Sequence, residues 1–330
     1  MDSNFDISDL PTVKTWAQWG EVFTDLDLWE PAVREICRRA GLPARTITTG
    51  YPGTNAVFIV NARRPDAAVV KIYAPMCVGD YDLERILHPL LGRWPKIGAP
   101  VLLAEGILGE GNAWPYVVLS FLPGEPIREV REELPHHELL TVARDLGRRL
   151  RVLHDIPSTA WGPLSAMAAV WPATARRFLH QNLDKLRSRR VLPRTLLDAV
   201  PGFVEPYLET ATELILVSGD VTEDHVLLVE DDEGWSISGL IDFADALIAP
   251  RAYEWVALWF SALRRDAGAL RAFLEGYGGL TADTTFCRTA MAYTFLHEFG
   301  AEIMADELRG EDAAAITTVQ ALQAILWSPD

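Results

Sequence analysis

The sequence of 330 residues has few cysteines, few positive charges and no long hydrophobic run. Its three cysteines, Cys37, Cys77 and Cys287, are far apart and lack metal-ligand spacing, which argues against a disulfide framework and favours a reducing compartment. No apolar run approaches the roughly 20 residues needed to cross a bilayer. The opening MDSNFDISDL has neither the basic nor the apolar region of a signal peptide, so we expect a cytoplasmic protein.

Positive charge is scarce relative to negative charge: 30 Lys and Arg stand against 46 Asp and Glu, a formal net charge of -16 at pH 7. This balance argues against nucleic-acid binding, because phosphate contacts require an excess of Lys and Arg. Cationic partners remain possible, although acidity also simply keeps a protein soluble. The length favours two lobes or domains. We find no internal repeat or low-complexity segment.

The two parts of the chain differ in their hydrophobic periodicity. Short strand-like runs fill residues 46–122, namely TITTG, NAVFIVNA, DAAVVKIY, VLLAEGIL (followed by a GEGN turn) and AWPYVVLSFL, with one helix predicted over 80–91. The PGEP stretch at 123–126 is typical of a linker. Helical spacing then dominates. Outside the sheet region, helices are predicted over 27–39, 138–154, 172–189, 251–263, 267–277, 284–308 and 312–326. The pattern predicts an α+β protein with a small antiparallel β lobe at 1–122 and a larger helical lobe at 123–330.

The stretch from Leu216 to Asp245, LVSGDVTEDHVLLVEDDEGWSISGLIDFAD, is central to the chemistry. An apolar run, an acidic turn ending in glycine and an alternating run predict a β-hairpin whose turn centres near Asp232. Antiparallel pairing then brings Asp220, His225 and Asp242 to one end of the hairpin. These three side chains are candidate metal or proton handlers.

The first lobe carries further candidates. Lys71 lies within an apolar strand, where a lysine is unusual unless it meets an anion or lines a cleft; the alternative is an edge-strand lysine facing solvent. Glu84, on the predicted helix, could reach it. The GYPGTN loop at 50–55, with Thr54 and Asn55, is either a phosphate-covering loop or a simple hairpin turn.

Phosphoryl transfer from a nucleotide needs a carboxylate, Mg²⁺ ligands and a cation on the phosphates, and the chain supplies each type.

Two motifs carry a family resemblance. SGDVTEDHVLL and LIDFADA resemble the HGDxxxxN and IDFxDA motifs of the aminoglycoside phosphotransferase family of kinase-like enzymes. Five further stretches are most similar to the hygromycin B phosphotransferases. They are DLWEPAVREICRRAGLP, AWPYVVLSFLPG, ARDLGRRLRVLH, AYTFLHEF and ILWSPD. The resemblance therefore covers nearly the whole chain and implies a protein-kinase-like two-lobe fold.

The resemblance also assigns roles. It implies that Asp220 is the catalytic carboxylate, that Asp242 and His225 bind Mg²⁺, and that ATP or GTP is the phosphate donor. It further implies nucleotide-binding roles in the first lobe: Lys71 on the α and β phosphates, Glu84 as its ion-pair partner, and a hinge at 119–122 with Ser120 and Leu122 at the nucleobase. Two positions depart from the family pattern. His225 stands where most relatives have asparagine, and Ser218 replaces the histidine of the first motif.

Acidic residues suggest how an acceptor is bound. Asp245 lies three residues beyond Asp242. Glu298 and Glu302 are spaced i,i+4 on a helix predicted around 294–306, where carboxylates would suit a polyamine sugar. An ordinary solvated acidic face is the alternative. Trp255 and Trp259 could stack on sugars, but core packing is the favoured interpretation. For His154 and His297, structural roles are favoured.

The sequence thus favours a phosphotransferase acting on a hydroxyl of an aminoglycoside-type antibiotic such as hygromycin B. Two alternatives remain. The acceptor could be a nucleoside or peptide antibiotic or an amino-alcohol metabolite, or the protein could bind nucleotide or drug without catalysis, as the departures at Ser218 and His225 suggest. We expect no nucleic-acid or membrane partner, and a monomer or weak dimer.

Overall fold

The computed structural model describes residues 10–51, 53–109, 114–209 and 213–328. Most of the predicted GEGN turn, the last two residues of ILWSPD and nearly all of the acidic N-terminal stretch lie outside these residues. The chain divides into two compact units: Met1–Gly124 with Ser238–Ala244, and Glu125–Ile237 with Asp245–Asp330. The sequence did not indicate that the second half returns seven residues, including Asp242, to the first unit.

The first unit contains a five-stranded antiparallel sheet in the order β1-β2-β3-β5-β4. The strands are β1 Ile47–Thr49, β2 Ala56–Val60, β3 Ala68–Ile72, β4 Leu102–Leu108 and β5 Trp114–Ser120. Each falls within one of the five predicted runs. The helices are α1 Trp16–Val22, α2 Leu26–Arg39 and α3 Val78–Leu91. Asp25 caps α2 by accepting from the Leu28 N–H, and α2 buries an apolar face as its periodicity predicts.

The second unit is mainly helical. Its helices are α4 Ile127–Val130, α5 His136–His154, α6 Ser165–Arg189, α7 Arg194–Glu209, α8 Glu254–Ala257, α9 Ala267–Tyr277, α10 Thr284–Leu296, α11 Gly300–Glu307 and α12 Val319–Leu326. Helices α5 and α9 pack backbone to backbone. A Cβ on Gly147 would lie 2.2 Å from the Phe273 carbonyl oxygen, and one on Gly276 would lie 1.9 Å from that of Arg144. Only glycine at both positions permits this approach.

Short strands frame the central stretch. They are β6 Glu125–Pro126, β7 Ile215–Val217, β8 Val226–Asp231, β9 Gly234–Leu240 and β10 Leu247–Ala249. The hairpin of β8 and β9 has a two-residue turn at Asp232 and Glu233, as predicted, and Gly234 supplies a φ of +105°. The antiparallel pair of β7 and β10 was not predicted, because three-residue apolar runs carry no usable periodicity.

Three predicted helices are wrong in extent. Residues 251–263 form a 3₁₀ turn, the four-residue α8 and a π-helix at Leu258–Ala262 instead of one helix. Over 284–308, α10 ends before His297, which is extended (φ -82°, ψ 145°), and α11 begins at Gly300. Buried Asn182 stabilises this break by donating to two carbonyls there and accepting from the Ala301 N–H. Over 312–326, only α12 is α-helical.

Three of the described helices, α1, α4 and α7, were not predicted. Pro201 and Pro206 lie inside α7 and obscure its helical pattern.

The three cysteines are free and buried, as expected for small hydrophobic residues. Burial raises the pKa of the Cys37 and Cys77 thiols to about 11, so both remain protonated at neutral pH. Within the described part of the chain, no helix combines the length and the apolar character needed to cross a membrane.

Candidate active site

The first unit holds a buried charge cluster centred on Lys71. Its side chain leaves the central strand β3, the residue is 6% exposed, and Nζ lies 3.0 Å from Glu84 Oε2 and 2.9 Å from Asp242 Oδ1. Burial would lower the pKa of Lys71, but the carboxylates of Asp242 and Glu84 outweigh it and raise that pKa above its ordinary value. Lys71 is therefore a fixed cation, and the alternative of an edge-strand lysine in solvent is wrong.

Glu84 is the most enclosed member of this cluster, at 1% exposure. It accepts hydrogen bonds from Lys71 and from the buried Tyr73 hydroxyl. The ring of His88 lies one helical turn away, with Nε2 3.8 Å from Glu84 Oε1. Burial would raise the pKa of Glu84, but Lys71 and His88 lower it below its ordinary value, so the carboxylate stays ionised. Sequence reasoning missed Tyr73 and His88, although Tyr73 follows Lys71 by two residues and so shares its face of the strand.

Asp242 reaches Lys71 from an unusual backbone conformation. It follows β9 with φ +56°, a left-handed geometry that Asp tolerates better than most residues. Its Oδ1 accepts from Lys71 and, at 3.4 Å, from the Ala244 N–H. The side chain remains 35% exposed. Non-glycine residues in this conformation concentrate at functional sites, so the local backbone supports the role expected for Asp242.

The second unit holds the loop Ser218–Gly219–Asp220, which follows β7. Fully buried Glu254 accepts from the backbone N–H groups of Ser218 at 2.7 Å and Gly219 at 3.0 Å. His154 supports Glu254 in turn, because its Nε2 lies 3.1 Å from Glu254 Oε2. Glu254 was missed in the sequence, where its one signal was an isolated acid in the apolar run AYEWVALW. The loop is thus held through its main chain by a charge-assisted pair of hydrogen bonds.

His297 holds the same loop through a carbonyl. Its Nδ1 accepts from the Phe299 N–H, so the proton lies on Nε2, which donates to the Gly219 oxygen at 3.2 Å. Burial lowers the pKa of His297 to about 4, so the ring is neutral at pH 7. The ring stacks on Tyr253 with centroids 4.4 Å apart. His154 and His297 therefore have the structural roles that were favoured for them.

Gly219 could not be another residue in this loop. Its φ is +83°, and a Cβ would lie 2.3 Å from the Asp245 carbonyl oxygen. The glycine of the SGD motif thus allows the loop to pass close to the backbone of the second motif.

Asp220 and His225 are adjacent within the second unit. His225 Nδ1 lies 2.8 Å from the Asp220 carbonyl oxygen and 3.4 Å from the carboxylate oxygen Oδ2. Because a carbonyl only accepts, Nδ1 carries the proton and the lone pair is on Nε2. Metal-binding histidines commonly donate their other ring N–H to a carbonyl in this way. His225 is thus chemically suited to bind a metal through Nε2.

The remaining nucleotide candidates have defined positions in the first unit. Thr54 is exposed, whereas Asn55 is buried and its side chain hydrogen bonds to Asp80. The Ser120 hydroxyl accepts from the Val101 N–H at 2.9 Å. Leu122 packs on β9, where a Cβ at Gly239 would come within 2.4 Å of its Cδ1.

The acceptor candidates separate into two groups. Glu298 and Asp245 adjoin the Ser218–Asp220 loop and its support: the Glu298 main-chain N–H donates to the Tyr253 hydroxyl at 3.3 Å, and the Asp245 carbonyl oxygen lies 2.3 Å from where a Cβ on Gly219 would be. Glu302 instead pairs with Lys185 and Arg189, each at 3.2 Å. The prediction that Glu298 and Glu302 share one helix face is wrong, because Glu298 lies in the break between α10 and α11.

Tryptophans expected in the core are found there. Trp255 and Trp259 are 3% and 1% exposed, which agrees with packing and not with stacking on a sugar.

Asp242 by itself fits Mg²⁺ bound together with a nucleotide. Across the described ranges, no group of three or more His, Cys, Asp or Glu is arranged to hold a metal by itself. Mg²⁺ is usually held by one or two carboxylates plus substrate phosphates and water, so a closed protein cage is not required. Asp242 offers the oxygen that Mg²⁺ prefers, and the nitrogen of His225 is a departure from that preference.

Residues 50–291, which include both motifs and the Lys71 cluster, match the model of the phosphotransferase enzyme family. The chain belongs to this family. The match confirms the prediction of a nucleotide-dependent phosphotransferase and the broader resemblance to the aminoglycoside phosphotransferases. It does not extend to the narrower resemblance to hygromycin B enzymes.

Solved structures of similar fold confirm the kinase-like α+β architecture of this phosphotransferase. The GDP and kanamycin complex of APH(2″)-IIIa has a TM-score of 0.63 and 18% identity, covering 90% of this chain and 97% of that one. An aminoglycoside-3′-phosphotransferase of type VIII has a TM-score of 0.57 and 21% identity, with 82% and 98% covered. Spectinomycin phosphotransferase with ADP and spectinomycin has a TM-score of 0.54 and 14% identity, with 91% and 95% covered.

Among curated proteins, a lysine-specific demethylase, JMJ21 of Arabidopsis thaliana, is 24% identical over 204 residues. The similarity covers 51% of this chain and 22% of JMJ21, so the chain matches only about a fifth of that protein's length. The demethylase name therefore describes a much larger protein.

Proposed function

We propose that this phosphotransferase transfers the γ-phosphate of ATP or GTP to a hydroxyl of an aminoglycoside-type antibiotic such as hygromycin B, conferring resistance in the cytoplasm. The observation that carries the proposal is Lys71, a cation buried in β3 between the carboxylates of Glu84 and Asp242. Phosphoryl transfer depends on positioning and charge neutralisation, and a fixed cation beside a candidate metal ligand supplies both. We assign nucleotide binding to residues 1–122 and catalysis and acceptor binding to 123–330, as the sequence predicts, with Asp242 joining the first unit.

Each candidate residue has a place in this proposal. Lys71, oriented by Glu84, binds the phosphates. The nucleotide is bordered by four further residues of the first unit, Thr54, Asn55, Ser120 and Leu122. Asp242 and His225 hold Mg²⁺, which neutralises the phosphate oxygens when bound. Asp220 orients the acceptor hydroxyl and receives its proton. The main-chain hydrogen bonds from Glu254 and His297 fix the loop that carries Asp220, so the serine at position 218 is compatible with catalysis.

The acceptor is proposed to be cationic because two acidic residues, Asp245 and Glu298, adjoin the loop that carries Asp220. The Asp245 main chain lies against Gly219, and Glu298 follows His297, which donates to the Gly219 carbonyl. Carboxylates bind ammonium groups by charge-assisted hydrogen bonds. Glu302 was also predicted to bind the acceptor. Its carboxylate is already shared by two cations, so we expect it to contribute least.

Mass spectrometry of candidate antibiotics tests the proposal directly. Hygromycin B, kanamycin and spectinomycin would each be incubated with the protein, Mg²⁺ and either ATP or GTP, and a phosphorylated product is expected for at least one. Asp220→Asn should reduce turnover by about a thousandfold or more, since it removes the proton acceptor and nearly preserves shape. Asp232→Asn, in the exposed hairpin turn, is the matched control and should retain activity. Undiminished turnover by Asp220→Asn would contradict the assigned mechanism.

A second acceptor class has support from Glu302. Its pairing with Lys185 and Arg189 leaves less free negative charge for a polycation than the sequence suggested. A kinase for a less highly charged hydroxyl compound, such as a nucleoside or peptide antibiotic or an amino alcohol, has the same phosphate chemistry. A phosphorylated product from one of these compounds, and none from any aminoglycoside, would favour this second acceptor class. Nucleotide binding without product from any acceptor would favour a non-catalytic protein.

A further inference from the structure

Helix α1 anchors the loop between β1 and β2. The indole Nε1 of Trp19 donates to the Thr54 carbonyl oxygen at 2.7 Å, and Trp19 is only 2% exposed. Position 19 precedes the segment matched by the family model, which begins at residue 50. The contact therefore joins a residue outside the matched segment to a loop inside it.

The anchored loop, of which residues 50, 51 and 53–55 are described, is held by hydrogen bonds at both of its ends. At its start, the Gly50 N–H donates to the Val57 carbonyl at 2.7 Å. At its end, the buried Asn55 side chain hydrogen bonds to Asp80 of α3. Trp19 adds a third attachment through the main chain of Thr54, which is exposed. The loop contains two glycines, Gly50 and Gly53, and glycine has high backbone entropy in a free loop. Because glycine has no side chain that could restrict the backbone, a hydrogen bond to the main chain has this effect instead.

Trp19 is itself held rigidly by other aromatic rings. Its ring centroid lies 5.8 Å from that of Phe23, 6.0 Å from Trp29 and 5.7 Å from Trp114 of β5. Trp29 and Trp114 are fully buried. Such contacts at 4.5–7 Å favour defined ring orientations, so the direction of the indole N–H is fixed by the core of the sheet.

We propose that Trp19 is a positioning residue that fixes the loop at 50–55 for the phosphates of the bound nucleotide. This inference rests on the proposed function, in which the loop borders the nucleotide. A loop ordered before binding loses less conformational freedom when it binds phosphate, and its backbone N–H groups are already oriented. The N-terminal helix thus replaces the ordering that this loop, lacking a full GxGxxG pattern, does not obtain from its own sequence.

Trp19→Phe is the test variant and Trp29→Phe is its matched control. Both tryptophans belong to the same aromatic cluster, and each donates its indole N–H to a main-chain carbonyl, Trp29 to Val22 at 2.8 Å. Each substitution therefore removes one indole hydrogen bond and a similar volume from the same core. Only the first removes the attachment to Thr54.

Two measurements separate positioning from packing. Amide hydrogen exchange without nucleotide should be about 2- to 12-fold faster at Gly50, whose N–H donates to Val57, in Trp19→Phe, because one net hydrogen bond corresponds to that factor in an equilibrium. The increase should be smaller in Trp29→Phe, which keeps the hydrogen bond from Trp19 to Thr54. The nucleotide KM should rise by a similar factor in Trp19→Phe, with kcat little changed. Equal effects in both variants, or no effect in Trp19→Phe, would overturn the inference.

The experiment also distinguishes failure of the inference from failure of the proposed function. If the wild-type protein binds neither ATP nor GTP with Mg²⁺ by calorimetry, the proposed function is contradicted, and the inference about phosphates is overturned with it. Exchange that is faster only in Trp19→Phe would then show that the attachment orders the loop for a different purpose. If the wild-type protein binds nucleotide and Trp19→Phe binds equally well, only the inference is overturned.

Discussion

The Lys71 cluster and the Ser218–Asp220 loop are positioned by different physical means. In the first, three ionised side chains, Lys71, Glu84 and Asp242, hold one another, and the cluster is stabilised by charge. In the second, Glu254 and His297 hold main-chain groups, and the histidine must be neutral to fit its buried site. The comparison indicates that a charged cluster resists changes of pH near neutrality but tolerates no missing member. The main-chain clamp should instead be sensitive to acid, because His297 must stay neutral in its buried site.

Removing the cation should produce the largest effect. Lys71→Met leaves the buried Glu84 carboxylate without its ion-pair partner, which should lower the free energy of unfolding by about 3–5 kcal/mol. Urea denaturation measures this change. Turnover should also be lost, because the phosphates lose their cation.

The double variant Lys71→Met, Glu84→Gln is the control for that prediction. Because the second substitution removes the unpaired buried charge, it should recover much of the lost stability without restoring turnover. A double variant as unstable as the single one would show that packing, and not charge, holds this cluster together.

Acid should weaken the main-chain clamp through His297. Burial lowers the pKa of this histidine from 6.5 to about 4, so the unfolded chain binds the proton more readily than the folded protein does. The contribution is fully present above pH 6.5 and decreases as pH falls towards 4, by about 3 kcal/mol in total. Urea denaturation of wild type at pH 7, 5.5 and 4.5 measures the decrease.

His297→Gln is the matched variant for the acid effect. Glutamine can still donate to the Gly219 carbonyl but does not titrate, so the variant should lose less stability between pH 7 and pH 4.5 than wild type does. Identical pH dependence in the two proteins would show that other groups cause the loss. Neither protein should show a change between pH 7 and 9 from Lys71, whose pKa is raised.

The same comparison explains what the sequence could predict. Lys71, Asp220 and Asp242 could be named as candidates because a charged residue in an apolar strand and two short motifs are local signals. Glu254 and His297 were not assigned to the loop, because their partners are backbone groups 35 and 78 residues away. Periodicity located the five strands of the first unit but not the break at His297, which depends on Asn182 over 100 positions earlier. A short stretch of sequence shows the type of each side chain. It does not show which side chain hydrogen bonds to a distant main-chain group, because that depends on the tertiary structure.

Tyr73→Phe should give the smallest effect and shows how far the charge cluster depends on neutral partners. The substitution removes the hydroxyl that donates to Glu84 while Lys71 still pairs with that carboxylate. One net hydrogen bond to a charged group is worth about 1.5–3 kcal/mol, and the remaining ion pair should limit the loss to the lower end. We expect a nucleotide KM raised by about tenfold with kcat nearly unchanged, because Lys71 is less firmly oriented.

Tyr81→Phe is the control, since its hydroxyl bonds to Glu105 and its ring packs on Tyr73. A similar KM in both variants would mean that the ion pair alone orients Lys71. The Lys71 cluster would then depend on charge only, and it would differ from the main-chain clamp more than we infer.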